Sequence, residues 1–342
     1  MGNWNSISAE IQAQNNKPDA FDIVRRQKIG TVQQITRRPL LVYAADFITP
    51  HPAKAQFASN LMSISLADKD SFDEVTRNLP QGKGIDILLH SPGGSAEATE
   101  SIVELLRNRF SNIRFIIPNV AKSAATMMAM SGEQLLLDDR SELGPIDPQM
   151  IFVQDGRVIV SPVQAIKDQF KNAQDEINQD PKNLPVWVPI LNWFGPSLLV
   201  QCDNHLKLAK ELVTKWLQCY MFAGDPGATT KAQRIADYLA DHNAFHSHER
   251  YVGMAKLQEL EVNILDMRTV PDLHEAVRDL HIAIMQTFMG TMAYKIVENG
   301  QHEALIGMVQ VNVPTQQIQQ PTQQPAPPLN REARRNAARK KR

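Results

Sequence analysis

Two cysteines in 342 residues, Cys202 and Cys219, are too few for a disulfide framework, and their separation fits neither a metal knuckle nor a redox pair. They read as reduced thiols of a cytoplasmic protein. Charge is equally uninformative in one direction: 36 Lys and Arg against 37 Asp and Glu leave a formal net charge of -1, so the body of the chain lacks the basic excess of a nucleic-acid binder. The start, MGNWNSISAEIQAQNNKPD, is polar and has no apolar core of a secretory signal. Gly2 and Ser6 do fit the loose myristoylation pattern, which has meaning only in a eukaryotic cytosol. Long hydrophobic runs are also scarce. The uncharged stretch from Leu184 to Cys202 approaches the ~20 residues of a membrane span. Pro185, Pro189, Gly195 and Pro196 interrupt it, and the expectation is a buried or lid-like loop leading into a helix, with the apolar loop lining a substrate groove as the alternative.

What is present is alternation. RPLLVYAADF (Arg38 to Phe47) is an apolar run of the length of a strand covered on both faces, and SFDEVTRNLPQ follows as a short amphipathic helix. GIDILLHSPGGSAEATESIVELLRNRF reads as strand, glycine turn, helix, and NIRFIIPNVAKSAATMMAMSGEQLLLDD repeats the unit, with a turn at Ala121 to Ser123. Strands alternating with helices predict an α/β layer fold with crossover connections. Beyond Asp147 the pattern turns helical in SPVQAIKDQFKNAQDEI, PSLLVQCDNHLKLAKELVTKWLQCYMF and ATTKAQRIADYLADH. One more long helix is expected over TVPDLHEAVRDLHIAIMQTFMGTMAYKIVE. The chain closes on a Gln/Pro-rich stretch and then seven basic residues against Glu332, a composition that cannot bury a core. It is either a solvated tail or a docking element for nucleic acid, an acidic partner or a membrane surface.

Two turns carry the candidate chemistry. In HSPGGSAEATE, Gly93 and Gly94 stand between a strand and a helix, where backbone N–H groups point at whatever occupies the helix start. One strand–helix unit later, Ser123 heads the next helix. Acyl transfer needs a nucleophile whose attack leaves negative charge within reach of preorganised N–H donors, and two adjacent turns of this kind supply both. Each also has a plain structural reading, Ser123 as a helix N-cap and the Pro-Gly-Gly as an ordinary turn.

HSPGG, AKSAATMMAMSG, ELGPIDPQ and HERYVGMAKLQELEVNIL, spread over Pro39 to Met267, resemble the serine dehydrogenase proteinase family of the Clp protease and crotonase superfold, which is related to signal peptide peptidase A. The resemblance implies an α/β fold of Clp/crotonase-like stacked ββα units, with additional helices in the C-terminal half. Together with composition it divides the chain into a polar N-terminal segment over 1–37, a Clp/crotonase-like hydrolase domain over 38–295 and a Gln/Pro-rich, basic tail expected to be disordered over 296–342. Where Clp peptidases carry their histidine, this chain has Asp147, and where they carry their aspartate, it has His248 and Glu249. The resemblance therefore implies a triad of Ser123, Asp147 and His248 with the acid and base exchanged in chain order, which is chemically admissible because a triad is defined by geometry.

For Asp147 the plain alternative is a turn residue between prolines. For His248 it is a metal cluster with His242 and His246, although no fourth ligand is evident. Signal-peptide-peptidase-like relatives use a Ser-Lys dyad; superposition of that helix start gives Gln164, with Lys167 one turn later as the alternative base, while Lys122 is poorly aimed for that task. The expectation is a cytoplasmic serine peptidase acting on polypeptides or peptides. Ser123 is the nucleophile, His248 the base and Asp147 its orienting acid. N–H groups of Gly93 or Gly94 and of Ala124 form the oxyanion hole, with no metal and no cofactor. The superfold's habit of assembly implies a homo-oligomer. A crotonase-like acyl-CoA enzyme and a catalytically silent scaffold are the alternatives.

Overall fold

The computed structural model describes residues 3–14, 17–48, 50–154, 156–192 and 194–310. Gly2 of the myristoylation pattern and the basic tail from 311 onward lie outside the described residues. The chain clusters into a unit spanning 1–309 and a second spanning 310–342.

The scaffold is a seven-stranded sheet of β1 (Leu40–Ala45), β2 (Gly84–His90), β3 (Asn112–Ile116), β5 (Gln134–Leu137), β10 (Ile264–Asp266), β11 (Ala293–Asn299) and β12 (Ala304–Met308). Its order is β10-β5-β3-β2-β1-β11-β12, and only β11 runs against the others, pairing antiparallel with both β1 and β12. The apolar runs read as doubly covered strands are that: every residue of β1 is buried. Alternation divides the strands between two cores. Leu41, Tyr43, Ile87, Leu89, Phe115 and Leu135 face one, and Leu40, Val42, Ala44, Leu88, Ile116 and Leu136 face the other.

Helices α4 (Leu66–Thr76), α5 (Ala96–Arg109), α6 (Ala124–Ala129), α9 (Leu198–Trp216) and α10 (Ala228–Ala240) contribute to the first core. The second is covered by α2 (Ala20–Thr36) and α13 (Pro271–Gly290). Two short helices, α11 (His242–Phe245) and α12 (Met254–Glu259), add Phe245 and Leu257 to the first core, and the remaining helices are α1 (Trp4–Gln12), α3 (Pro52–Ala58), α7 (Val163–Gln179) and α8 (Leu184–Leu191). A small sheet β4-β6-β9 joins Val120–Ala121, Glu142–Leu143 and Val252–Gly253, and β7 (Gln149–Gln154) pairs with β8 (Arg157–Pro162) as a hairpin.

Four expectations are corrected. The polar segment 1–37 contains two helices, and α2 is integral: Arg25 is fully buried, and Glu298 Oε2 accepts from its Nε at 2.6 Å. The long helix expected to run to Glu298 stops at Gly290, where Thr291 turns extended. The alternating, β-rich AYKIVEN that follows becomes β11 because an exposed edge of β1 is there to pair with it. In consequence the expected tail boundary at 296 falls inside a strand, and order extends through β12. Finally, part of the Leu184 to Cys202 stretch forms α8, and it is not buried: Val186 is 71% exposed and Leu184 46%. Among the described residues no helix is long and apolar enough to cross a membrane.

Candidate active site

The site lies at the carboxyl ends of β2 and β3, where an open parallel sheet leaves a crevice. The two turns seen in the sequence are stapled together there. Val120 O accepts from Ser91 N at 3.1 Å, and Ser91 O accepts from Lys122 N at 3.0 Å, so the segment before the glycines pairs with β4 immediately before Ser123.

Glycine is required by this closeness. A Cβ at Gly93 (φ +98°) would lie 2.5 Å from Lys122 O, 2.7 Å from Ser123 Cβ and 3.0 Å from Ala124 N. At Gly94 (φ +152°) it would lie 2.3 Å from Ile64 O. Ile64 bonds to Gly93 O and Ser95 N, the pattern of a parallel bridge that turns the intervening Gly94 N–H to the opposite side. Gly93 N donates weakly to Ser91 Oγ at 3.2 Å.

Ser123 departs from the N-cap expected of a structural serine. Its backbone sits at φ +50°, ψ -122°, a conformation L-residues rarely hold, and its side chain makes no capping bond to α6. Among the described residues its Oγ has no hydrogen-bond partner, and it faces a cavity of about 590 Å³. Gly93, Gly94, Ala124, Met127, Ile151, Val160, His205 and His248 share that cavity. Ala124 N belongs to the first turn of α6, where no intrahelical acceptor exists.

Asp147 is 1% exposed and held from both sides of its segment. Leu239 O accepts from Ile146 N at 2.8 Å, and Thr126 Oγ1 on α6 accepts from Gly144 N at 3.0 Å. Pairing of β6 with β9 (Glu142 with Gly253, Leu143 with Val252) brings the chain around 250 back beside the chain around 145. Asp147 and His248 are thereby joined: the carboxylate Oδ1 lies 2.7 Å from His248 Nδ1. The second oxygen, Oδ2, lies 2.8 Å from His242 Nδ1. Thus the histidines of the alternative metal reading are divided by Asp147, with His242 and His248 on its two oxygens and His246 exposed.

Lys167, the alternative base, is not in this cavity. It pairs with Asp203 at 2.6 Å and lines a separate cavity with His242. Lys122 Nζ is occupied with Glu142 Oε2 and Leu143 O. Sequence reasoning missed His242 as a partner of Asp147 and His205 as a cavity residue. His242 stood in view within DHNAFHSHER, but no short-range signal says which histidine reaches a given carboxylate. Behind the glycine turn, burial and then the neighbouring His281 push His90 down to about 3, while burial pushes His281 down to about 4. Their rings meet edge to face at 5.2 Å.

At the strand ends a glycine turn is thus pressed against a strained serine, beside a buried aspartate–histidine pair. Residues 61–178 match the family model of ClpP-like SDH-type serine proteinases, which bears out the resemblance read from the sequence over a segment holding both turns, Ser123 and Asp147. His248 lies beyond it. Two uncharacterized proteins of Methanocaldococcus jannaschii are similar: MJ0137 is 32% identical over 25% of this chain and 30% of its own length, and MJ1495 is 31% identical over 62% and 63%. The chain thus spans less than two thirds of the curated relatives it matches. Solved structures with some likeness include a 1510-N membrane-bound stomatin-specific protease variant (16% identity, 62% of this chain and 79% of that chain, TM-score 0.36). Another is a ClpP1 variant from Listeria monocytogenes (10% identity, 71% and 98%, TM-score 0.34).

Proposed function

We propose that the protein is a serine peptidase in which Ser123, His248 and Asp147 act as nucleophile, base and orienting acid on a polypeptide or peptide. The observation that carries this reading is the 2.7 Å contact between buried Asp147 and His248 Nδ1, which leaves the opposite ring nitrogen available in the cavity that Ser123 faces. Ser123 Oγ attacks the scissile carbonyl and His248 Nε2 takes its proton, then returns it to the leaving amine. Ser123 and His248 line the same cavity, and the hydrogen bond between them forms when substrate fills it, as catalytic hydrogen bonds are often completed only in the substrate complex. Asp147 holds the ring in the productive tautomer and stabilises the imidazolium. Developing negative charge is received by Ala124 N–H with the N–H groups of Gly93 or Gly94. None of these steps calls on a metal or organic cofactor.

The same reading includes assembly and location. The apolar side chains of α8 and of the β7–β8 hairpin stand in solvent, Val186 at 71% and Val153 at 75%, and burial between copies of a homo-oligomer would remove that cost. Both cysteines are free, as in a reducing cytoplasm. The basic tail is assigned electrostatic docking to an acidic surface.

The decisive experiment is labelling with a fluorophosphonate serine probe. Covalent addition at Ser123, lost in Ser123→Ala with the fold intact, is expected. Undiminished labelling of Ser123→Ala removes the nucleophile assignment, and no labelling of the wild type returns the protein to the acyl-CoA or scaffold classes.

A further inference from the structure

Asp147 has two oxygens and two imidazoles, and the peptidase reading above uses only one of each. We propose that His242 is a positioning residue for the Ser123 centre: by donating from Nδ1 to Asp147 Oδ2 it fixes the carboxylate so that Oδ1 stays on His248. The inference rests on that reading of the site.

The argument begins with burial. A carboxylate 1% exposed must have its lone pairs met by donors, because water does not reach it. Among the described residues the only donors to the Asp147 side chain are His248 at Oδ1 and His242 at Oδ2, at 2.7 and 2.8 Å. No lysine or arginine pairs with it there. In the absence of His242, one oxygen is orphaned and the carboxylate is free to rotate about its last torsion, which is a soft, two-fold one. The His248 ring then loses the fixed partner that sets its tautomer.

His242 is itself held independently of the centre. Asp241 Oδ1 accepts from Asn243 N and Ala244 N, and His242 O accepts from His246 N at 2.7 Å, so the short turn of α11 closes on itself and presents the imidazole. On its other side His242 lines a polar cavity of about 630 Å³ with Lys167, Asp203, Lys210 and Asp237. The lysines there are paired, Lys167 with Asp203 and Lys210 with Asp237 at 2.8 Å, and neither reaches Asp147. The role therefore asks of residue 242 a single N–H donor at the position of Nδ1. An asparagine amide supplies a donor at the same distance along the side chain.

That equivalence gives the test. In purified full-length protein, His242→Ala is expected to lower kcat on a small peptide substrate by about ten- to a hundredfold, the worth of a hydrogen bond to a charged group, with KM within about twofold. The fluorophosphonate labelling rate should fall in proportion. His242→Asn should recover to within about threefold of wild type, whereas His248→Asn, which keeps a donor to Asp147 but removes the base, should stay inactive. Proton NMR gives a readout independent of turnover: two low-field N–H resonances in the wild type, and one in each Asn variant, because an amide N–H does not resonate there. Wild-type rates in His242→Ala overturn the proposal. A folded His242→Asn as slow as His242→Ala overturns it too, since residue 242 would then do more than donate. If wild-type protein is never labelled at Ser123, the peptidase reading falls and takes this role with it; a labelled wild type with an indifferent His242→Ala sinks this role alone.

Discussion

The inner wall of the Ser123 cavity and the hairpin on its outer wall differ in how their side chains are held. On the inner wall, each segment that presents a functional group is tied to another: the glycine turn to β4, Gly144 to Thr126 of α6, Ile146 to Leu239, and Asp147 to two histidines. On the outer wall, β7 and β8 pair with each other in register, and one face of that pair, Ile151, Val153, Val158 and Val160, is between 50% and 75% exposed. Chemistry at this site depends on groups fixed to a fraction of an ångström, which cross-ties between distant segments provide. A surface for other chains depends on apolar area left uncovered, which a lone hairpin provides.

The comparison breaks hardest at Asp147. Asp147→Asn keeps the shape but favours the wrong imidazole tautomer, and turnover should fall by about 10⁴, the loss seen for the corresponding change in the standard serine-protease triad. Lys167→Ala should be mild by the same assay; a dead Lys167 variant beside an active Asp147→Asn would hand the base role to lysine. Gly93→Ala comes next. Its methyl would overlap Lys122 O and Ser123 Cβ, and the backbone must move at Ser123, the proposed nucleophile, so a loss of at least about a hundredfold in kcat is expected even in protein that folds. Turnover near wild type would mean that the turn does not hold the oxyanion.

A gentler effect should follow from acid. His90 and His281 have folded-state pKa values of about 3 and about 4, pushed below the usual imidazole value first by burial, while the unfolded chain titrates near 6.5. The unfolded state therefore binds more protons between these limits. The contribution of each histidine is intact above about pH 6.5 and is lost as pH falls, through about 4 for His281 and about 3 for His90, at up to about 1.4 kcal/mol per pH unit each. Denaturant midpoints measured from pH 7 to 4 should show that slope, and it should flatten in His281→Leu. A flat wild-type profile would contradict it.

The smallest effect on folding belongs to the outer wall. Replacing Val153 and Val158 together by serine should change stability by no more than about 0.5 kcal/mol per site, because both side chains are already in water. If copies pack through this hairpin as proposed, light scattering should nevertheless show the double variant shifted from a multimer toward the mass of one chain. An unchanged multimer would move the interface elsewhere.

Much of this was legible beforehand. The doubly covered strands, the two strand–turn–helix units and the helices after Asp147 follow from runs and periods that a few neighbouring residues define. The misread elements share a cause. AYKIVEN can be a helix end or a strand, and the free edge of β1, more than 240 residues earlier in the chain, decides. LPVWVPIL is apolar enough to be buried, yet most of its side chains stay exposed in the described unit. The hairpin at Gln149–Pro162 was passed over because its alternation is brief and the apolar side chains of one face, two of which border the Ser123 cavity, remain largely exposed.

The sequence by itself determined the turns, because a Pro-Gly-Gly after a strand and a small-residue bend before a helix are local instructions, fulfilled within a few residues of where they are written. Only the tertiary structure decided the partners. Asp147 and His248 are 101 positions apart and Asp147 and His242 are 95, and both contacts form because β6 and β9 pair across that distance. It also placed Lys167 outside the Ser123 cavity and drew a second histidine onto the buried acid. A side chain's type is a property of its position in the chain, whereas which of several histidines meets a given carboxylate depends on how strands, helices and loops pack around it, and that information is spread over the whole fold.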